Sequence, residues 1–288
     1  MKERPLVIFT LLTQMTVGAF TILLAIFWQF SYFFGVNSGS RLILPYFIFI
    51  GALFMVGLAA SLFHLGSPLN AWRALANLRN SWLSREVLFS LLFAALAGFF
   101  VFFQWLEISS SSFRNLVALL ATCFGITLIY CMARVYMLRT VSQWNSGLTV
   151  ASFFTTAFIL GCLVDGVMLS FSAVFMPLEE SVAIMQLLHW IGGLCVLLLL
   201  VEFLLIPLGL ARLIDQNMGD SSGRPISQIY LMRVVPLFLG IATVGVLFFL
   251  ATPLNFFEAI VVLMAFGFVL FSETFGRMIF YDSRQPLM

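Results

Sequence analysis

Eight apolar stretches, each long enough for a membrane-crossing helix of about 20 residues, follow one another along this 288-residue chain. They run over residues 6–34, 42–64, 86–106, 113–138, 147–172, 182–210, 229–250 and 254–281. Charged residues make up only 9% of the chain, against about a quarter in a soluble domain. A globule cannot hide a composition that is 62% hydrophobic from water, so lipid is the solvent for most of the surface. The pattern predicts an all-α integral membrane protein, an eight-transmembrane-helix bundle forming a single polytopic domain over residues 1–288. The run from Leu6 to Phe34 has no small-residue cleavage site before a polar start, so it reads as the first span and not as a removable leader. The breaks "GVNSGSR", "EISSSSFR", "RTVSQWNSG", "MPLEE", "DQNMGDSSGRP" and "ATPLN" carry turn chemistry. No internal repeat is visible in the sequence, which argues against a transporter built from inverted repeats.

An even number of spans puts both termini on one side. Of the 14 lysines and arginines, all but Arg41 and Arg114 fall on that side. The positive-inside rule then places both termini in the cytoplasm. Nearly all of these residues are arginines, which suit bidentate contact with carboxylates, so part of the basic face is also a candidate docking surface for a partner subunit.

Cofactor chemistry has few ligands to work with. Cys123, Cys131, Cys162 and Cys195 lie singly inside apolar runs and form no CxxC, whereas iron–sulfur clusters, structural zinc and covalent haem need clustered thiolates or a CxxCH. The two histidines are His64 and His189. His64 ends the second span on the basic side. His189 lies about 10 Å below the opposite surface, by the helical rise. Two axial ligands of one haem share a level, so a bis-histidine haem is not expected, and neither is a metal site.

One zone does gather protonatable groups. His64, the 65–85 segment with Arg73, then Arg85 and Glu86, Arg134 and Tyr136, and Glu273, Arg277 and Tyr281 all fall toward the basic side. Glu273 and Arg277 are four apart and share a helix face. A histidine, a carboxylate and arginines at the lip of a lipid-accessible groove suit a quinol. Its two hydroxyls need hydrogen-bond partners and its oxidation needs a base. The plainer alternatives stand beside this reading. Arg79 and Trp82 suit interfacial anchors, His64 suits a helix-dipole complement, and Glu273 with Arg277 suits a structural ion pair. Deeper in the bilayer, Asp165 and His189 are placed to pair across helices, and Glu202 requires a partner, an arginine of the basic side being one candidate.

The segments "PLVIFTLLTQMTVGAF" (5–20), "HLGSPLNAWRAL" (64–75), "WLSREVLF" (82–89), "MARVYMLRTVSQWNSG" (132–147) and "ETFGRMIFY" (273–281) occur in the same order as in the membrane-anchor subunits of dimethyl sulfoxide reductase, the DmsC family, which this sequence resembles over nearly its whole length. The resemblance implies a haem-free anchor in the cytoplasmic (inner) membrane of a bacterium. Such an anchor oxidises menaquinol and passes electrons to an iron–sulfur subunit and on to a molybdopterin catalytic subunit. The family's functional histidine falls on His64 and its carboxylate on Glu86. Family members carry an arginine two residues past the proline and an asparagine three further. Here those positions hold Asn70 and Arg73, which moves the cation by nearly one helical turn. The expected quinol-binding set is thus His64, Glu86, Arg73, Arg85, Arg134, Tyr136, Glu273 and Arg277, with His64 and Glu86 handling protons. The partners are the two soluble subunits and lipid, with no nucleic acid. A secondary transporter and a purely structural anchor are the alternatives.

Overall fold

The computed structural model describes residues 4–64, 74–107, 110–138, 144–215, 226–249 and 256–282. It holds eight helices: α1 (Arg4–Phe34), α2 (Val36–His64), α3 (Trp82–Trp105), α4 (Ser111–Tyr136), α5 (Gly147–Ala173), α6 (Leu178–Asp215), α7 (Ile226–Phe249) and α8 (Phe256–Asp282). Among the described residues, seven carry an apolar run long enough to cross a bilayer. The apolar run described in α7, Leu231–Val246, is shorter, but its 24-residue helix rises about 36 Å. This is a multi-span helical membrane protein. Pro45, Pro207 and Pro236 all lie inside continuous helices.

Local chemistry sets the helix ends. The break expected at 35–41 shrinks to one residue, Gly35, at φ 86°. Only glycine adopts that left-handed conformation cheaply, and its amide bonds the Ser31 carbonyl at 2.9 Å. The polar residues after it form the first turn of α2, where Ser40 Oγ accepts from Gln104 Nε2 of α3 at 2.6 Å. Helix α3 starts four residues before the expected 86 because Ser81 caps it, its Oγ accepting from the Ser84 amide at 3.2 Å. Ser110 does the same for α4, accepting from the Phe113 amide at 3.3 Å. Helix α6, at 38 residues, overruns the expected 182–210 at both ends and carries Glu179 and Glu180 in its first turn, where carboxylates complement the helix dipole.

The packing repeats where the sequence does not. Helices α1 to α4 close a ring, each touching the next and α4 touching α1, and α5 to α8 close a second ring in the same way. The rings meet through α1 and α5, flanked by the α4–α5 and α1–α8 contacts. Advancing every helix by four maps each of these pairings onto another, with α1–α5 mapped onto itself. In an alternating bundle α1 and α5 run in the same direction, so the pairing pattern is that of a parallel repeat. At the central crossing, glycines bring the two backbones together. A Cβ on Gly161 would lie 2.5 Å from the Gly18 carbonyl carbon, and one on Gly18 would strike the Ala157 carbonyl. Helices α1 and α5 are the most enclosed, while α3 and α6 turn mostly outward.

Candidate functional site

The rim of the site is built where α3 begins and α4 ends. Glu86 is the fifth residue of α3, about 6 Å inside the helix start, and is 4% exposed. Two guanidinium groups lie over the Trp82 ring, Arg85 at 4.3 Å and Arg134 at 4.8 Å from its centroid. These are cation–π distances. Arg85 also ties down the turn before α3, donating from Nε to the Leu78 carbonyl (2.9 Å) and from Nη2 to the Arg79 carbonyl (2.7 Å). Arg79 itself is exposed. Tyr136, the last residue of α4, is buried against Trp144, Phe153, Phe280 and Tyr281. Trp144 Nε1 donates to the Phe280 carbonyl at 2.9 Å, which fixes the entry of α5 against the end of α8. Glu86 lies within electrostatic range of Cys131, Tyr136 and Tyr281.

Beneath this rim a polar cluster is sealed inside the second ring and against α1. Arg277 is 3% exposed. Its Nη2 donates to Gln14 Oε1 (3.0 Å), Thr156 Oγ1 (3.1 Å) and the Ser152 carbonyl (3.5 Å), and its guanidinium sits 3.8 Å from the Phe153 centroid. Glu273 is also buried, and its Oε2 is 2.7 Å from Thr156 Oγ1. Glu202 forms a salt bridge with Arg233 and accepts from Thr155 Oγ1 at 2.6 Å. Tyr281 donates to Thr10 Oγ1 at 3.3 Å, and Ser272 Oγ donates to the Arg233 carbonyl at 2.8 Å. Each ionised group in this low-dielectric setting needs such partners. The atoms left without one among the described residues include Gln14 Nε2, Thr13 Oγ1, Glu273 Oε1 and Arg233 Nε.

The expected residues therefore fall into two groups. Arg85, Glu86 and Arg134 gather at the rim with Trp82, which joins the site through its ring in addition to any anchoring. Glu273 and Arg277 lie in the deeper cluster, and Tyr136 with Tyr281 stands between. The side chain of His64 and the whole of Arg73 lie outside the described residues. Glu273 and Arg277 share a helix face as expected, but they meet at the Thr156 hydroxyl and not as a direct ion pair. Glu202 finds its arginine, Arg233. No hydrogen bond joins Asp165 to His189. Both Asp165 oxygens lack a hydrogen-bond partner among the described residues, and His189 Nδ1 lies 2.7 Å from the Met185 carbonyl of its own helix.

Sequence reasoning passed over Gln14, Thr10, Thr155 and Thr156. A signal was present for two of them: Thr10 and Gln14 are four apart, and Gly18 continues the same face of α1. For the threonines of α5 there was none, because a threonine in an apolar helix commonly bonds its own backbone.

Comparison with known proteins bears on this arrangement. Residues 1–282 match the family model described as DMSO reductase anchor subunit (DmsC). A polypeptide of the anaerobic dimethyl sulfoxide reductase of Haemophilus influenzae is 33% identical over 160 residues, which cover 55% of this protein and 56% of that one. The YnfH polypeptide of an anaerobic dimethyl sulfoxide reductase of Escherichia coli is 33% identical over 168 residues, covering 58% and 57%. A polypeptide of the sulfite dehydrogenase of Allochromatium vinosum shares 37% identity over 112 residues, 35% of this protein and 34% of that one. The match thus spans little more than half the length of the dimethyl sulfoxide reductase polypeptides. No solved structure matches. With the family model covering all but the last six residues, the chain belongs to the DMSO reductase anchor subunit (DmsC) family.

Proposed function

We propose that this protein is the quinol-oxidising membrane anchor of a respiratory molybdoenzyme complex in a bacterial cytoplasmic membrane. Menaquinol binds at the rim and gives its electrons to an iron–sulfur subunit docked on the basic face. That subunit passes them to a molybdopterin catalytic subunit, which reduces dimethyl sulfoxide or a related acceptor. The observation that carries the reading is Glu86. A carboxylate buried in the second turn of α3, on the helix whose first turn carries the Trp82 ring with Arg85 and Arg134 over it, is a base placed near the membrane edge where a lipid-borne hydroxyl would arrive. His64, the last residue of α2, is the second proton-handling group, and Arg73 follows it in the sequence as a further cation. The arginines hold developing negative charge on the quinol oxygens as the proton leaves. Membranes carrying His64→Gln should co-purify the soluble subunits, reduce acceptor from an artificial viologen donor, and fail to do so from menaquinol. Full menaquinol-driven activity in that variant would refute the reading.

A further inference from the structure

The first turn of α3 and the last turn of α4 place two cations on one ring. The Arg85 guanidinium lies 4.3 Å from the Trp82 centroid, and that of Arg134 lies 4.8 Å from it. Both distances run to the same centroid, so the two charges stand less than a Debye length apart, about 10 Å at 0.1 M salt. An indole face attracts each cation, but it carries no net charge to offset their repulsion.

The surrounding protein supplies no anion. Among the described residues, no ion pair reaches either guanidinium. Glu86 follows Arg85 in the sequence but is buried at 4% exposure, whereas both arginines are half-buried. Residues 65–81 and 137–146, which adjoin the pair along the chain, include no aspartate or glutamate and add Arg73, Arg79 and Arg139. Arg85 is held in place by the Leu78 and Arg79 carbonyls, which take Nε and Nη2 and leave Nη1 uncommitted. Arg134 Nε is buried with no hydrogen-bond partner. Guanidinium forks of this kind match pairs of phosphate oxygens.

The surface beneath the pair is apolar. Tyr130 and Ile126 lie one and two turns below Arg134 on the same face of α4, and both are exposed, as is Leu83 beside Trp82. The Tyr130 ring meets Trp82 edge-on at 5.9 Å. A phosphate seated on the two arginines would therefore have a hydrocarbon-lined surface under it, which a free phosphate does not need and an acyl chain does. A soluble partner's carboxylates would instead meet Arg79, which is exposed on the turn outside the helix.

We infer that Arg85 and Arg134, held on Trp82, form a seat for the phosphodiester of an anionic phospholipid. The site goes beyond the quinol reading and needs no part of it. Arg134 alone offers five N–H donors, enough for a phosphate and a quinol oxygen together.

The test is native mass spectrometry of the purified complex in a neutral detergent, titrated with phosphatidylglycerol or with phosphatidylcholine and with no menaquinol present. The native complex should bind phosphatidylglycerol about tenfold more tightly, the lower end of what a charge-assisted contact supplies. That preference should vanish in Arg85→Gln combined with Arg134→Gln, persist in large part in Arg134→Lys, and be unchanged in Arg79→Gln. Inorganic phosphate equimolar with the lipid should not release it. Equal binding of the two lipids by the native complex would overturn the inference, and so would a preference that survives in the double variant. Release by equimolar inorganic phosphate would assign the pair to a free anion instead. Loss of the co-purifying soluble subunits from the double variant, with its lipid preference intact, would assign the pair to a protein partner. Either of those results also overturns the lipid seat. Because the readout is lipid binding, this inference and the quinol reading can fail separately.

Discussion

Glu202 and Arg233 form an ion pair within the membrane interior, with side chains 1% and 21% exposed. Removing one partner of a buried pair leaves an uncompensated charge and costs about 3–5 kcal/mol, whereas removing both for apolar residues of similar volume is often neutral. Arg233→Leu should therefore cut the amount of folded anchor recovered in detergent, and Glu202→Leu combined with Arg233→Leu should restore most of it. Measuring thermal unfolding of the purified anchor complexes checks this ordering. If the double variant is as unstable as the single, the pair has a role beyond charge compensation. At this scale the sequence was partly legible. Glu202 announced its need for a partner by sitting as a carboxylate in an apolar run. The identity of that partner was not available, because α6 and α7 approach each other only through the fold. The same holds for Glu273 and Arg277. Their spacing of four placed them on one face, but the hydroxyl that separates and connects them belongs to α5.

At the scale of elements, glycine decides the central crossing. Gly18 and Gly161 let α1 and α5 touch backbone to backbone, and a Cβ at either position meets main chain that cannot yield. Gly161→Val should abolish stable membrane assembly, read as the monodisperse fraction in detergent. Gly98, which has open space where its Cβ would sit, should accept valine without loss. Equal behaviour of the two variants would contradict the crossing. Helix existence was readable from apolar length alone, since lipid admits no other spanning form that hides its backbone polar groups within one segment. Helix ends were read less well. Composition marked "GVNSGSR" as a loop, but one left-handed glycine suffices to reverse the backbone, and the polar residues beyond it are spent on the first turn of α2. The serine caps of α3 and α4 extended those helices outward in the same manner.

At the scale of the whole molecule, the eight-helix count places both termini, the rim and the turn at Asn77–Asn80 on one face, with the α3–α4 turn on the other. Single cysteines at Asn80 and Ser110, in a background lacking Cys123, should label with a membrane-impermeant maleimide from opposite sides of sealed vesicles. Labelling from one side would refute the span count. The repeated ring packing was invisible in the sequence because two rings need only similar helix lengths and close-approach positions, not similar side chains. That divergence has a consequence. The first ring buries Glu86 near the start of α3, while the second carries the Glu202–Arg233 and Arg277 contacts. Glu86→Gln tests the rim most directly, since it keeps the side chain's shape and removes its basicity. In membranes carrying the assembled complex, menaquinol-driven acceptor reduction should fall by about 100-fold, the lower end of what a positioned base supplies, while viologen-driven reduction stays at the native rate. Native menaquinol-driven turnover in that variant would contradict the account.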